Sequence, residues 1–374
     1  MLATPVVTAV TAAVVTGVVP AAHAAPPASP VRAALDRVVA SGVPGVVALT
    51  RRDDRTARWA RGVRDLRTKR AIRTHDRFRI GSNTKTFVAT VVLQLAGERR
   101  LRLDDSVERW LPGTIRDGRR ITVRQLLNHT SGLPDYSQDP RVLQPYARDR
   151  GHYWAPRALV GLVEDRPLSF RPGTGFAYSN TNYVLLGLIV EKATGRSATG
   201  EITRRLIRPL GLRGTGLPVR DPRIHGPHTR GYLTNVPGQG TVDITTLSPS
   251  IAWTAGGMIS TTADLARFHR ALFSGRLLRP AQQRALKTIA ARSGGYALGV
   301  ARITTSCGPA WGHQGSFPGY LSLAFTTADG RRQAVIALNT DRVLSETTHR
   351  RLDTAFELAL CGRTSPGRRL LPPG

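Results

Sequence analysis

Ser82 is the residue best placed to act as a nucleophile. It opens the stretch Ser82-Asn83-Thr84-Lys85, and the apolar spacing that follows is helical, so its backbone N–H and the positive end of the helix face any negative charge that develops there. Lys85 lies three residues on, one turn away on the same face. A lysine held behind a serine in a partly dry cleft loses proton affinity and can act as a base. The chain has four lysines among 54 basic residues, which makes this spacing informative. Alone, the pair also fits a helix cap with a surface lysine. Two further triplets change the balance. Tyr178-Ser179-Asn180 follows a Pro172-Gly173 turn and precedes a helix; its tyrosine can move a proton beside a lysine, and its asparagine can hold a substrate amide. His313-Gln314-Gly315 ends a strand, with a glycine that lets another backbone approach. Each triplet occurs once, in this order.

The elements that must position these residues are legible in outline. Residues 31–41 read as a helix stopped by Gly42, and 45–50 and 57–63 as two strands. Ser82–Ala96 reads as a helix with Phe87, Val88, Val91, Val92 and Leu95 inward. Short helices fall near 122–129, 156–165, 181–193 and 197–208, in a loop-rich region. Thr261–Phe273 is another helix, with Thr261 and Asp264 spaced as a capping box. Strands follow at 296–305, 310–313, 320–326 and 333–339, then a helix at 346–360 with Leu352, Phe356 and Leu360 on one side. Neither end of the chain can bury its apolar faces alone. The expected solution is one antiparallel sheet covered by both terminal helices, an α/β (α+β) fold, with a site in the cleft beside a helical subdomain. The sheet part is then 31–99 with 251–362, and the helical insertion is 100–250.

Composition limits the rest. The chain has 374 residues, 41% apolar and 21% charged, with a net charge of +29. These figures exclude a disordered chain, a collagen and a polytopic membrane protein. The first 24 residues carry no charged side chain and end in Ala22-His23-Ala24. They read as a signal peptide, which predicts a secreted protein, followed by a linker at 25–30. Residues 363–374 read as a disordered tail. An Arg at every third position from Arg52 to Arg73 fits one solvated basic edge. Cys307 and Cys361 form an even pair, which in an exported protein suggests one disulfide; the alternative is two buried thiols. The cysteines make no zinc cluster, and HExxH, the G-x-S-x-G elbow and a phosphate loop are absent, so no metal or cofactor is expected. The charge favours anionic cell-wall polymers over nucleic acid, because the arginines are dispersed without a nucleic-acid motif. A monomer is expected.

In this order, S-x-x-K, Y-x-N and H-x-G resemble the penicillin-recognising serine hydrolases, which include DD-peptidases, class C β-lactamases and related esterases. The Y-x-N and H-x-G choices resemble most closely the secreted actinomycete D-alanyl-D-alanine carboxypeptidases of that family. The likeness extends through FRIGSNTKTF (78–87), ITVRQLLNHTSGLPDY (121–136), YSNTNY (178–183), GYLT (231–234) and GYALG…SCG (295–308). It implies the β-lactamase/transpeptidase-like fold and an acyl-enzyme at Ser82, with Lys85 and Tyr178 moving its proton. It also implies an oxyanion hole from the N–H groups of Ser82 and Ser316, and substrate binding by Asn180, Gln314 and Gly315. His313 would sit near Tyr178 and carry protons, Trp253 would match a cleft tryptophan, and both cysteines fall where the relatives have their single disulfide. The implied activity is D-Ala-D-Ala carboxypeptidase on peptidoglycan stem peptides, with acylation by β-lactams. The alternative is an esterase or amidase of the same fold with a different small acyl substrate; a class C β-lactamase fits less well, since those carry K-T-G.

Two departures bear on specificity. Where the resembling carboxypeptidases hold the substrate carboxylate with an arginine, ungapped counting places Ala301. Arg302 follows, but neighbouring strand residues point to opposite faces, so only a bulge would let it substitute. The middle residue of H-x-G is Gln314, where the relatives carry threonine.

Overall fold

The computed structural model describes residues 29–340 and 344–364. The expected signal peptide, most of the linker and nearly all of the expected tail lie outside these residues. The first helix, α1 (Pro30–Val39), has proline in its first turn, where no N–H is missed, and buries Val31, Ala34, Leu35 and Val38. It leads into β1 (Gly45–Arg52) and β2 (Arg55–Gly62), then β3 (Phe78–Arg79) and α2 (Asn83–Gly97). The middle of the chain holds α3 (Val107–Trp110), α4 (Val123–Leu127), α5 (Pro156–Gly161), α6 (Asn180–Thr194), α7 (Ala198–Ile202) and α8 (Arg208–Leu210). A hairpin of β4 (Tyr232–Val236) and β5 (Gly240–Asp243) follows, which the sequence reading did not anticipate. Then come α9 (Trp253–Gly256), β6 (Ile259–Ser260), α10 (Thr262–Phe273), α11 (Pro280–Leu286), β7 (Ala301–Thr305), β8 (Gly308–Phe317), β9 (Tyr320–Thr327), β10 (Arg332–Leu338) and α12 (Glu346–Cys361).

Six strands form one antiparallel sheet in the order β2-β1-β10-β9-β8-β7. Alternation splits its side chains between two cores. Val46, Ala48, Leu323, Phe325 and Ile336 pack against α1 and α12, the expected cover by both terminal helices. Val47, Leu49, Trp311, Phe317 and Val335 face the larger core with α2, α6 and α10. The basic edge is β2, an outer strand with mostly exposed residues, whose charge discourages pairing with another sheet.

Three local expectations need correction. Helix α2 is buried on every side rather than along one stripe, with every residue from Asn83 to Leu93 enclosed. The strand expected from 296 begins only at Ala301, because Gly295 and Gly299 take positive φ (117° and 76°) and fold Tyr296–Val300 into a turn. Thr261 does cap α10, accepting from the Asp264 N–H at 3.1 Å, but the Asp264 carboxylate does not return the bond. It reaches Gly214 N–H (2.7 Å) and the Thr215 hydroxyl (2.9 Å) instead. A reciprocal box forms at Thr122 and Gln125, where the longer side chain can reach back.

Cys307, in the turn between β7 and β8, is bonded to Cys361, the last residue of α12, across 54 residues. The bond ties the outermost strand pair of the sheet to the terminal helix. Free-thiol titration of denatured protein should therefore find none. Reduction should lower stability by about 2–4 kcal/mol, measured as a reduced denaturant midpoint.

Candidate active site

Two glycines let β8 reach the start of α2. A Cβ on Gly315 would sit 1.9 Å from the Ile80 carbonyl, and one on Gly81 would sit 2.5 Å from the Ser316 backbone. Only bare backbone fits there, which explains the glycine of H-x-G. Gly81 also needs its positive φ of 50° to turn into the helix. The Ser322 hydroxyl on β9 fastens the junction, donating to the Ile80 carbonyl (2.9 Å) and accepting from the Asn83 amide (2.9 Å). Ser82 is thereby held at the N-cap of α2, half-buried, with the backbone of Ser316 alongside.

Lys85 is wholly buried. Its Nζ lies 2.6 Å from the Ala255 carbonyl, 2.7 Å from Asn180 Oδ1 and 3.0 Å from Ser82 Oγ. The first two partners only accept. A neutral amine has two N–H bonds and one lone pair, so donation to these two leaves the lone pair for the serine proton. Burial pushes the lysine down to about 7, against a partial lift from the charge of Asp135. The amine is therefore substantially neutral near neutral pH.

Tyr178 and Asn180 sit on the other side of that amine. The Tyr178 ring centroid is 4.8 Å from Nζ, and its side chain is partly exposed. Asn180 is engaged at both ends: Oδ1 accepts from Lys85, and Nδ2 donates to Asp135 Oδ2 and Ser137 Oγ, both at 3.1 Å. His129 places this triplet. It is buried, its Nδ1 accepts from the Ser179 N–H (3.2 Å) and the Asn182 amide (3.0 Å), and its ring lies against Tyr178 at 4.2 Å. Burial and the Lys85 charge hold His129 well below its usual range.

His313 differs from the expectation. Its ring is 6.4 Å from that of Tyr178, but its hydrogen bonds go elsewhere. Nδ1 donates to the Gln314 carbonyl, so Nε2 must accept, and it does so from the Tyr296 hydroxyl at 2.9 Å. Burial and the Lys85 charge push it down to about 3. Both nitrogens are occupied on a neutral ring, an arrangement suited to holding geometry rather than shuttling protons.

Trp253 lies in a wall rather than on the cleft surface. It is 3% exposed and packs over Gly187 of α6, where a Cβ would meet its ring at 2.7 Å. Gln314 is half-buried, and its Oε1 has no hydrogen-bond partner among the described residues. The β7–β8 register is unbroken: Ala301 faces Gly312 and Arg302 faces Trp311. No bulge exists, so Ala301 shares a face with Gln314, and exposed Arg302 lies on the opposite face, the one that carries Trp311 and His313. The structure thus gathers Ser82, Lys85, Tyr178, Asn180, His313, Gly315 and Ser316. Sequence reasoning assigned no role to His129, Asp135, Tyr296 or the Ala255 carbonyl, although the first three fall within the stretches of likeness. Among the described residues no cluster of His, Cys, Asp and Glu could hold a metal ion.

Comparisons with known proteins bear on the family and the fold. A family profile described as Beta-lactamase matches residues 31–357. The solved structure of a D-stereospecific amidohydrolase from a Streptomyces species superposes with a TM-score of 0.81 at 38% identity, covering 89% of this chain and 98% of that one. Penicillin-binding protein 4* of Bacillus subtilis is 30% identical over 316 residues, 80% of this chain and 66% of that protein. A putative D-alanyl-D-alanine carboxypeptidase of Escherichia coli is 31% identical over 158 residues, 39% of this chain. The chain spans less than two thirds of the length of either of these last two relatives.

Exchanging Ser82 for alanine should abolish acylation by an activated ester, followed by intact mass. Lys85→Ala should slow acylation by about 10²–10⁴, the usual worth of a general base. In the unaltered protein, kcat/KM should rise with pH through about 7 and level above it, because only the neutral Lys85 amine can accept the serine proton.

Proposed function

The chain belongs to the β-lactamase family of serine hydrolases, and from that premise we propose that it is a serine amidohydrolase and esterase acting on small acyl substrates that need no free C-terminal carboxylate. The single observation that carries this choice is Ala301 in an unbroken register. Where the resembling carboxypeptidases offer a guanidinium, this chain offers a methyl group. The likeness to a D-stereospecific amidohydrolase over nearly the whole of that chain supports amides of D-amino acids as the substrate class.

In the proposed mechanism Ser82 Oγ attacks the substrate carbonyl as neutral Lys85 takes its proton. The backbone N–H groups of Ser82 and Ser316 receive the oxyanion. Lys85 and Tyr178 return the proton to the leaving amine or alcohol, and water then cleaves the acyl-enzyme with Lys85 again as base. Neutral His313 and Tyr296 brace the floor of the site. β-Lactams would acylate the same serine. If the protein is exported, as its leader suggests, these substrates are met outside the cytoplasmic membrane, where the +29 charge would favour anionic wall polymer.

The second reading is the D-Ala-D-Ala carboxypeptidase on peptidoglycan stems, favoured by the likeness to the putative carboxypeptidase of E. coli. The two readings separate on the carboxylate. We expect kcat/KM for a D-Ala-D-Ala peptide and its C-terminal amide to agree within about tenfold. Ala301→Arg should then shift selectivity toward the free acid by about 10- to 150-fold, the value of one charge-assisted hydrogen bond. A strong acid preference in the unaltered protein, untouched by Arg302→Ala, would favour the carboxypeptidase and a different anchor.

A further inference from the structure

The Asn180 amide has two ends of nearly equal shape, and acylation tolerates only one orientation. Lys85 donates to the end it meets, so that end must be oxygen. If the amide turned over, Nδ2 would either face an N–H of Lys85 or take up the lone pair that the serine proton needs. The far end decides the matter. Ser137 Oγ lies 3.1 Å from Nδ2, but an exposed hydroxyl both donates and accepts and would serve either orientation. Asp135 Oδ2, also at 3.1 Å, belongs to a carboxylate, which as an anion only accepts. It selects the orientation with Nδ2 outward.

We propose that Asp135 is a positioning residue for acylation, holding the Asn180 amide with its oxygen on Lys85 and setting a negative charge behind the amine. The proposal rests on the reading of Lys85 as the base. Every element around the amine bears on the charge balance. Helix α2 supplies Ser82, α6 supplies Asn180 and the Tyr183 ring at 5.4 Å, and α9 supplies the Ala255 carbonyl. Tyr178 lies over it at 4.8 Å. Burial holds His129 and His313 in the neutral form, and pushes Tyr183 and Tyr296 up so that they are neutral as well. Among the described residues Asp135 is an anion that acts on Lys85, and it favours the protonated amine.

The test is the pH profile of kcat/KM with a neutral p-nitrophenyl ester, which offers Asp135 no charged group to bind. Ser82→Ala is run alongside; if it hydrolyses the ester at the full rate, the serine reading itself fails. In D135N the acid limb should move to lower pH by about half a unit or more, because an anion that stabilised the protonated amine is gone. In D135A the limb should move the same way and the high-pH plateau should fall by about tenfold or more, since nothing at the far end then selects the amide orientation. D135E should keep the limb where the unaltered protein has it. Two results would overturn the proposal while leaving the serine mechanism standing. One is an acid limb in D135N that coincides with that of the unaltered protein. The other is an effect confined to KM for substrates bearing an ammonium group, which would make Asp135 a substrate ligand instead.

Discussion

The site depends on one buried amine. A lysine taken out of water prefers to shed its charge, and this one is placed where that preference becomes useful. It has two carbonyl acceptors at 2.6 and 2.7 Å and a serine hydroxyl at 3.0 Å. Those three partners come from three helices, α9, α6 and α2, so the proton acceptor exists only when all three are packed. That requirement explains why α2 is enclosed on every side. A helix with one solvent face would let water reach Nζ and restore its affinity for the proton.

The surroundings keep the amine in that state without adding positive charge. Two histidines lie close by, and both are held neutral by burial. Their nitrogens do structural work: His129 collects the Ser179 N–H and the Asn182 amide, while His313 joins the Gln314 carbonyl to Tyr296. The contact between Gly315 and Ile80 and that between Gly81 and Ser316 bring strand and helix closer than any side chain would permit. A larger residue at either glycine would separate the nucleophile from the strand beside it.

Much of this was legible in the sequence. The order of S-x-x-K, Y-x-N and H-x-G picked out residues that the fold brings together around Ser82, and period-two and period-3.6 patterns placed the sheet and both terminal helices. The strand pairing around Ala301 is regular, without the bulge that the sequence left open. What escaped has a physical reason in each case. Asp135 and His129 act through hydrogen bonds to residues about 45 to 53 positions away, a separation no local pattern encodes. Tyr296 lies in a turn made by two left-handed glycines, where the apolar run read as strand. Trp253 carries no sequence mark that separates a cleft tryptophan from one packed over Gly187.

The central claim, that burial leaves Lys85 neutral near neutral pH, can be measured directly. The chain has four lysines, so selective labelling of lysine side chains gives a small set of NMR resonances, and Lys85→Arg identifies one of them. That resonance should titrate with a midpoint of about 7. A midpoint at the ordinary lysine value of about 10.4 would contradict the account, because the serine would then face a cation unable to take its proton.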